Sequence, residues 1–133
     1  MKHIVVDTNI FSLSLRHKTP NIKISEILTK LLQKKQVILI GNVRQEFLSG
    51  IKHHLQFHKL QSTISNIPLT EILPEDYDAA AKFYNKCRAH GIQGSDTDLL
   101  LCAVATRLKS PIFTTDQDFE LYAKHLPISL FRI

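Results

Sequence analysis

A chain of 133 residues, 44% of them apolar, carries 17 Lys and Arg against 12 Asp and Glu, a net charge of +5. That length buries a core without a structural metal and reads as one domain over residues 1–133. The two cysteines, Cys87 and Cys102, sit in apolar helical contexts, which argues against a disulfide framework. With no export signal and no apolar run longer than Leu99 to Ala105, the expectation is a cytoplasmic protein with no membrane partner, whose basic balance suits a polyanion.

The first element is an apolar run, Ile4-Val5-Val6, that stops on Asp7, as a buried strand feeding a helix through a tight turn does. A short helical segment from Asn9 to Arg16 follows, broken by Pro20. Ile24, Ile27, Leu28, Leu31 and Leu32 then keep helical spacing, with Lys30, Lys34 and Lys35 on the other face. Val37 to Ile40 reads as a second buried strand. Gly41-Asn42 turns into a helix striped by Val43, Phe47, Leu48 and Ile51, and Asn42 with Gln45 resembles a capping box.

Lys52 to Ser65 has the pattern of a polar, His-rich helix ended by Pro68, before a weak third strand over Leu69 to Leu73. Pro74 opens the next helix and Gly91 lies just past its end. Its stripe of Tyr77, Ala80, Ala81, Tyr84 and Cys87 places both tyrosines in the core rather than on a base-stacking surface. Asp98 to Lys109 is apolar nearly all round, which predicts a helix buried against the sheet. Pro111 to Thr114 gives a fourth strand, Asp116 to His125 a short helix and Ile128 to Ile133 a closing strand. The alternation predicts a three-layer α/β/α fold with a central, mainly parallel sheet.

Strands of a parallel sheet end at one edge, and the helices that feed the next strands begin there. Asp7 after the first strand, Glu46 near the start of a helix, Asp96 and Asp98 at the head of the buried helix, and Asp116 after the fourth strand therefore converge in one crevice. Clustered carboxylates repel one another unless a cation binds between them, and oxygen ligands suit Mg²⁺ or Mn²⁺. Such ions support phosphodiester hydrolysis. Capping is the structural alternative: Asp7 suits an N-cap, and Ser95 with Asp98 and Thr115 with Asp118 fit the Ser/Thr-x-x-Asp pattern. Capping does not account for Glu46. His54 and His58 have metal-pair spacing but no neighbouring acid or thiol, so with Lys52, His53 and Lys59 they read as a solvated, RNA-facing patch. No Ser-His-Asp pattern, Walker loop or dinucleotide turn occurs.

The stretches Ile4-Val5-Val6-Asp7-Thr8-Asn9, Val43-Arg44-Gln45-Glu46-Phe47, Thr97-Asp98-Leu99-Leu100-Leu101-Cys102-Ala103 and Phe113-Thr114-Thr115-Asp116-Gln117-Asp118-Phe119 resemble the four acidic motifs of PIN-domain nucleases. Their order and layout are similar to VapC-type toxins. The resemblance implies a catalytic quartet of Asp7, Glu46, Asp98 and Asp116, with Asp7, Asp98 and Asp116 holding Mg²⁺ or Mn²⁺. Asp96, Asp118, Thr114 and Asn9 stand as auxiliary residues, Thr114 matching the family's small hydroxyl near the fourth acid. It further implies RNA cleavage by a homodimer silenced by a cognate antitoxin. Two alternatives are a catalytically silent PIN-like module that binds RNA or protein, which a broken quartet would suggest, and a haloacid-dehalogenase-like phosphotransferase, whose second acid is replaced here by Asn9.

Overall fold

The computed structural model describes residues 2–16 and 19–133, and all of its strand pairings are parallel. β1 (Ile4–Val6) lies between β2 (Val37–Ile40) and β4 (Ile112–Phe113), and β3 (Leu69–Thr70) pairs with the other side of β2, giving the order β3-β2-β1-β4. Val5 sits opposite both Ile38 and Ile112. These strands are runs of Val, Ile and Leu rather than alternating patterns because β1 and β2 are covered on both faces: all of β1 and three of the four residues of β2 are buried.

Among the described residues seven α-helices flank the sheet in a three-layer α/β/α arrangement: α1 (Thr8–Phe11), α2 (Ile22–Gln33), α3 (Gly41–Leu48), α4 (His54–Ile64), α5 (Pro74–Ala89), α6 (Asp96–Leu108) and α7 (Asp118–Ala123). α1 continues as wider π-helical turns over Ser12–Arg16. α6 buries every residue from Leu99 to Ala105, as its all-round apolar sequence predicts. α5 packs along it and is tied to it by an ion pair: Asp76, 2% exposed, accepts from Arg107 at 2.8 and 3.0 Å. Asp76 also accepts from the Leu73 N–H at 2.8 Å, closing the N-terminus of α5. Burial pushes the Asp76 carboxyl up, but the hydrogen bonds from Arg107 and Leu73 outweigh it and leave it below the ordinary carboxylate range.

Three helices end in the same backbone closure, with paired bonds back into the last turn. After α5 these are Ile92 N–H to Cys87 and Gly91 N–H to Arg88; after α6, Ser110 to Ala105 and Lys109 to Thr106; after α2, Gln36 to Leu31 and Lys35 to Leu32. The closing residue must turn left-handed. Gly91 does so at φ 76°, but Lys35 and Lys109 do so at 55° and 52°. The last two form the links that return α2 to β2 and α6 to β4.

Several sequence expectations need correction. Ile128 to Ile133 is not a strand: only Leu130 bridges to Ile112, because β4 is two residues long and offers no further ladder. Asn42 does not cap α3. The chain passes from β2 into α3 with no connector, Ile40 takes the N-cap position, and Asn42 falls inside the first turn with both side-chain amide atoms buried and unpartnered. Tyr77 is 56% exposed rather than in the core. Among the described residues no helix is long and apolar enough to cross a membrane.

Candidate functional site

The carboxyl ends of β1 and β4, α1 with its continuation, the second turn of α3 and the first turn of α6 border a cavity of about 400 Å³ lined by Asp7, Thr8, Asn9, Ser12, Arg16, Glu46, Asp98 and Asp116. Asp7 is both a cap and a wall of this cavity. It occupies the N-cap of α1, where its Oδ1 accepts from the Thr8 N–H at 2.8 Å. Its Oδ2 accepts from the Thr114 hydroxyl at 2.8 Å and from Asn9 Nδ2 at 3.3 Å.

The Thr114 hydroxyl also accepts from Asn9 Nδ2 at 3.2 Å and from the Asp116 N–H at 3.0 Å. Asn9 Oδ1 accepts from the Thr115 N–H at 3.2 Å. Asn9 and Thr114 thus bind the end of β1 to the end of β4 and fix where Asp7 and Asp116 stand. Thr115 caps nothing: α7 begins at Asp118, whose N–H is accepted by Asp116 Oδ1 at 2.9 Å.

Asp98 stands in the first turn of α6 because Ser95 caps that helix, accepting the Asp98 N–H at 3.1 Å. Its Oδ2 accepts from the buried Tyr122 hydroxyl at 3.0 Å. Burial and the adjacent Asp98 charge both push the Tyr122 hydroxyl up, so it stays a donor. Carboxylate oxygens of Asp98, Asp116 and Asp118 lie within 4.8 Å of one another, the only group of three or more such ligands among the described residues. Asp7 lines the same cavity but lies outside that group, its oxygens turned to Thr8, Asn9 and Thr114.

The electrostatics are those of crowded, half-dry acids. Burial pushes the Asp7 carboxyl up to about 6; hydrogen bonds from Thr114 and Thr8 lower it, and the Asp98 and Glu46 charges raise it again. Asp98 is likewise raised, chiefly by burial, against its bond from Tyr122. A donor set of hard oxygens, with the buried Thr8 hydroxyl also unpartnered in the cavity wall, fits a divalent cation.

Asp96 does not enter this cavity. It is exposed and lines a neighbouring groove between α5 and α6. His54 and His58 stack edge to face with centroids 4.4 Å apart, and neither lines the acidic cavity; His53 caps α4 through Nδ1. The sequence reading missed Ser12, Arg16 and Tyr122. Asn9, Ser12 and Arg16 recur at helical spacing after Asp7 and could have been found as one face; nothing local marks Tyr122.

The sequence matches the family described as PIN domain over residues 4–125. No curated protein matches it. Among solved structures, FitAcB from Neisseria gonorrhoeae aligns with a TM-score of 0.71 at 18% identity, over 97% of this chain and 96% of that one. VapBC2 from Rickettsia felis, bound to a promoter DNA fragment, gives 0.74 at 15% identity over 96% of each chain. DNA-bound VapBC from Salmonella typhimurium gives 0.72 at 14% identity over 98% of each. These likenesses establish a shared fold.

Proposed function

We propose that this chain, which belongs to the PIN domain family, is a Mg²⁺- or Mn²⁺-dependent endoribonuclease, acting in the cytoplasm as the toxin of a toxin–antitoxin pair. The observation that carries the nuclease reading is the convergence of Asp7, Glu46, Asp98 and Asp116 on one cavity from four separate elements. The proposed cation ligands are Asp98, Asp116 and Asp118, whose carboxylate oxygens lie together, with Asp118 taking the place the resemblance gives to Asp7 and Asp7 completing the negative wall. A divalent ion in such a site lowers the pKa of water and offsets charge on a phosphate.

The protein's own groups supply the rest. Tyr122 orients Asp98, while Thr114 and Asn9 orient Asp7 and Asp116. Glu46 is exposed and makes no hydrogen bond among the described residues, so its carboxylate is available to take the proton of the attacking water. In-line attack leaves a 3′-hydroxyl and a 5′-phosphate.

The toxin reading draws on structural neighbours that are toxin–antitoxin complexes; a homodimer and a cognate antitoxin are its implied partners. Incubating the protein with mixed RNAs in Mg²⁺, Mn²⁺ or EDTA and mapping the ends tests the chemistry. Cleavage that persists in EDTA, or cyclic phosphate ends, overturns it. Expression alone should arrest growth, and co-expression with the neighbouring small open reading frame should relieve the arrest. A harmless chain that binds no neighbouring product ends the toxin reading and leaves the nuclease reading intact.

A further inference from the structure

We propose that Arg16, the one positive side chain among the residues that line the acidic cavity, grips a backbone phosphate of the RNA strand there; the inference rests on the nuclease reading above. With four carboxylates in the same lining, the expected partner of Arg16 is one of the acids. It pairs with none of them. Among the described residues the ion pairs are Arg107 with Asp76 and Arg132 with Glu120. Nor do the acids draw on it: burial raises Asp7 and Asp98, and what offsets it is hydrogen bonding from Thr114 and Thr8 at the first and from Tyr122 and Ser95 at the second. A structural arginine in this protein looks different, for Arg107 is locked to the buried Asp76.

The place of Arg16 follows from the elements that carry it. Asn9, Ser12 and Arg16 recur along α1 and its π-helical continuation, and such a departure from regular helix is frequent at functional sites. α1 packs on α3, and the guanidinium reaches the far end of that helix: a β-carbon added at Gly50 would stand 3.9 Å from Arg16 Nη2. The proposed cation ligands come from other elements, Asp98 from the head of α6 and Asp116 and Asp118 from the passage of β4 into α7. The cavity therefore combines an acidic cluster with a separately mounted positive charge.

A guanidinium suits this task. Its planar fork donates two parallel bonds to a phosphate, and it stays charged at every working pH. The acids that attract a cation also repel RNA, and a positive charge in the same lining offsets that repulsion where the strand enters. Lys52, exposed and two residues beyond Gly50, lies within about 7 Å of it along the chain. A strand held at Arg16 continues over further positive charge.

The test reads RNA binding and cleavage in wild type, Arg16→Ala, Arg16→Lys and a control, Lys34→Ala, which removes an exposed charge at the end of α2. Binding of a short fluorescent single-stranded RNA is followed by anisotropy in EDTA across a range of salt. Arg16→Ala should flatten the slope of log affinity against log salt by about 0.7, the equivalent of one phosphate contact on a single strand, and lower kcat/KM in Mg²⁺ about tenfold to a hundredfold. Arg16→Lys should keep the slope and recover only part of the cleavage, since a point charge lacks the fork. In both variants the melting midpoint should hold and the Mg²⁺ concentration for half-maximal cleavage should not rise. Lys34→Ala should match wild type throughout.

An unchanged slope in Arg16→Ala overturns the proposal, whether cleavage is kept or is lost together with the fold. So does a Lys34→Ala variant that flattens the slope as much, because the charge then acts without regard to its place. If no RNA is cut with any metal and the slope still flattens in Arg16→Ala alone, the nuclease reading fails and the phosphate grip stands. If wild type and Arg16→Ala cut RNA alike to 5′-phosphate ends at an unchanged slope, the grip fails and the nuclease reading stands.

Discussion

The Thr114 hydroxyl donates to Asp7 Oδ2 at 2.8 Å while accepting the Asp116 N–H at 3.0 Å, so one oxygen sets the positions of two acids 109 residues apart in sequence. Thr114→Val keeps the shape and removes both bonds. The bond to Asp7 lowers that carboxyl, so in metal-free protein its titration, followed by carboxyl NMR, should move above its wild-type value. The Mg²⁺ concentration for half-maximal cleavage should rise about tenfold to a hundredfold, as for other residues that orient ligands. Unchanged metal dependence would show that Thr114 merely ends β4.

Asp7 carries a stability cost. Its folded carboxyl, raised from 3.8 to about 6, holds a proton in the native state that the unfolded chain has already released. Stability therefore falls as pH rises through that interval, and the loss is complete above it. Asp7→Asn should abolish cleavage and, in EDTA at neutral pH, stabilise the protein by about 1 kcal/mol, since Asn still accepts from Thr8. The gain should vanish near the lower end of the interval. Asp7→Ala also loses the cap, at about 1 kcal/mol. Thermal melts of the three proteins at both pH values, with EDTA and with Mg²⁺, decide the matter; Mg²⁺ should raise the wild-type midpoint by mass action and the variants' less. Destabilisation of both variants with no Mg²⁺ shift in wild type would leave Asp7 a purely structural residue.

The two acids at the head of α6 should separate cleanly. Asp98→Asn, inside the cavity and held by Tyr122, should lower kcat by about a thousandfold or more, whereas Asp96→Asn should stay within about tenfold. Tyr122→Phe frees Asp98 Oδ2 and should raise the metal requirement while leaving melting within about 1 kcal/mol of wild type. Equal losses in the two Asn variants would mean that Asp96 shares the metal.

Arg107 is a stability residue remote from the chemistry. Arg107→Ala leaves Asp76 buried without its ion pair and should cost about 2–3 kcal/mol at neutral pH. Because Asp76 is depressed in the fold, its contribution is present above the ordinary carboxylate range and is lost as pH falls through its folded value. Urea melts should therefore show the gap between wild type and variant narrowing in acid. A constant gap would assign the loss to Arg107's packing alone.

The strands and the four acids are legible because each is a local signal: an apolar run followed at once or within a few residues by a carboxylate, as at Asp7 and Asp116, or an acid within the first two turns of a helix, as at Glu46 and Asp98. What stays hidden depends on partners far along the chain. Tyr122 matters only because α7 folds back over Asp98, and Asp76 looks like any acid in a first turn until Arg107 arrives from α6. Asn42 misled because a capping box is read from spacing, whereas the direct passage of β2 into α3 moves the cap to Ile40. Tyr77 misled because a stripe at helical spacing does not say how wide the neighbouring helix is.

The two left-handed lysines have an engineering consequence. Lys35 and Lys109 stand where a glycine relieves backbone strain, as Gly91 already does after α5, and both lie on returns into strands, at the end of the sheet away from the acids. Lys35→Gly and Lys109→Gly should each raise the melting midpoint by an amount equivalent to about 0.5–1 kcal/mol, with kcat unaltered. Durability and chemistry are thus housed at opposite rims of the sheet, and a heat-hardened version of this protein can be sought at one rim without disturbing the other.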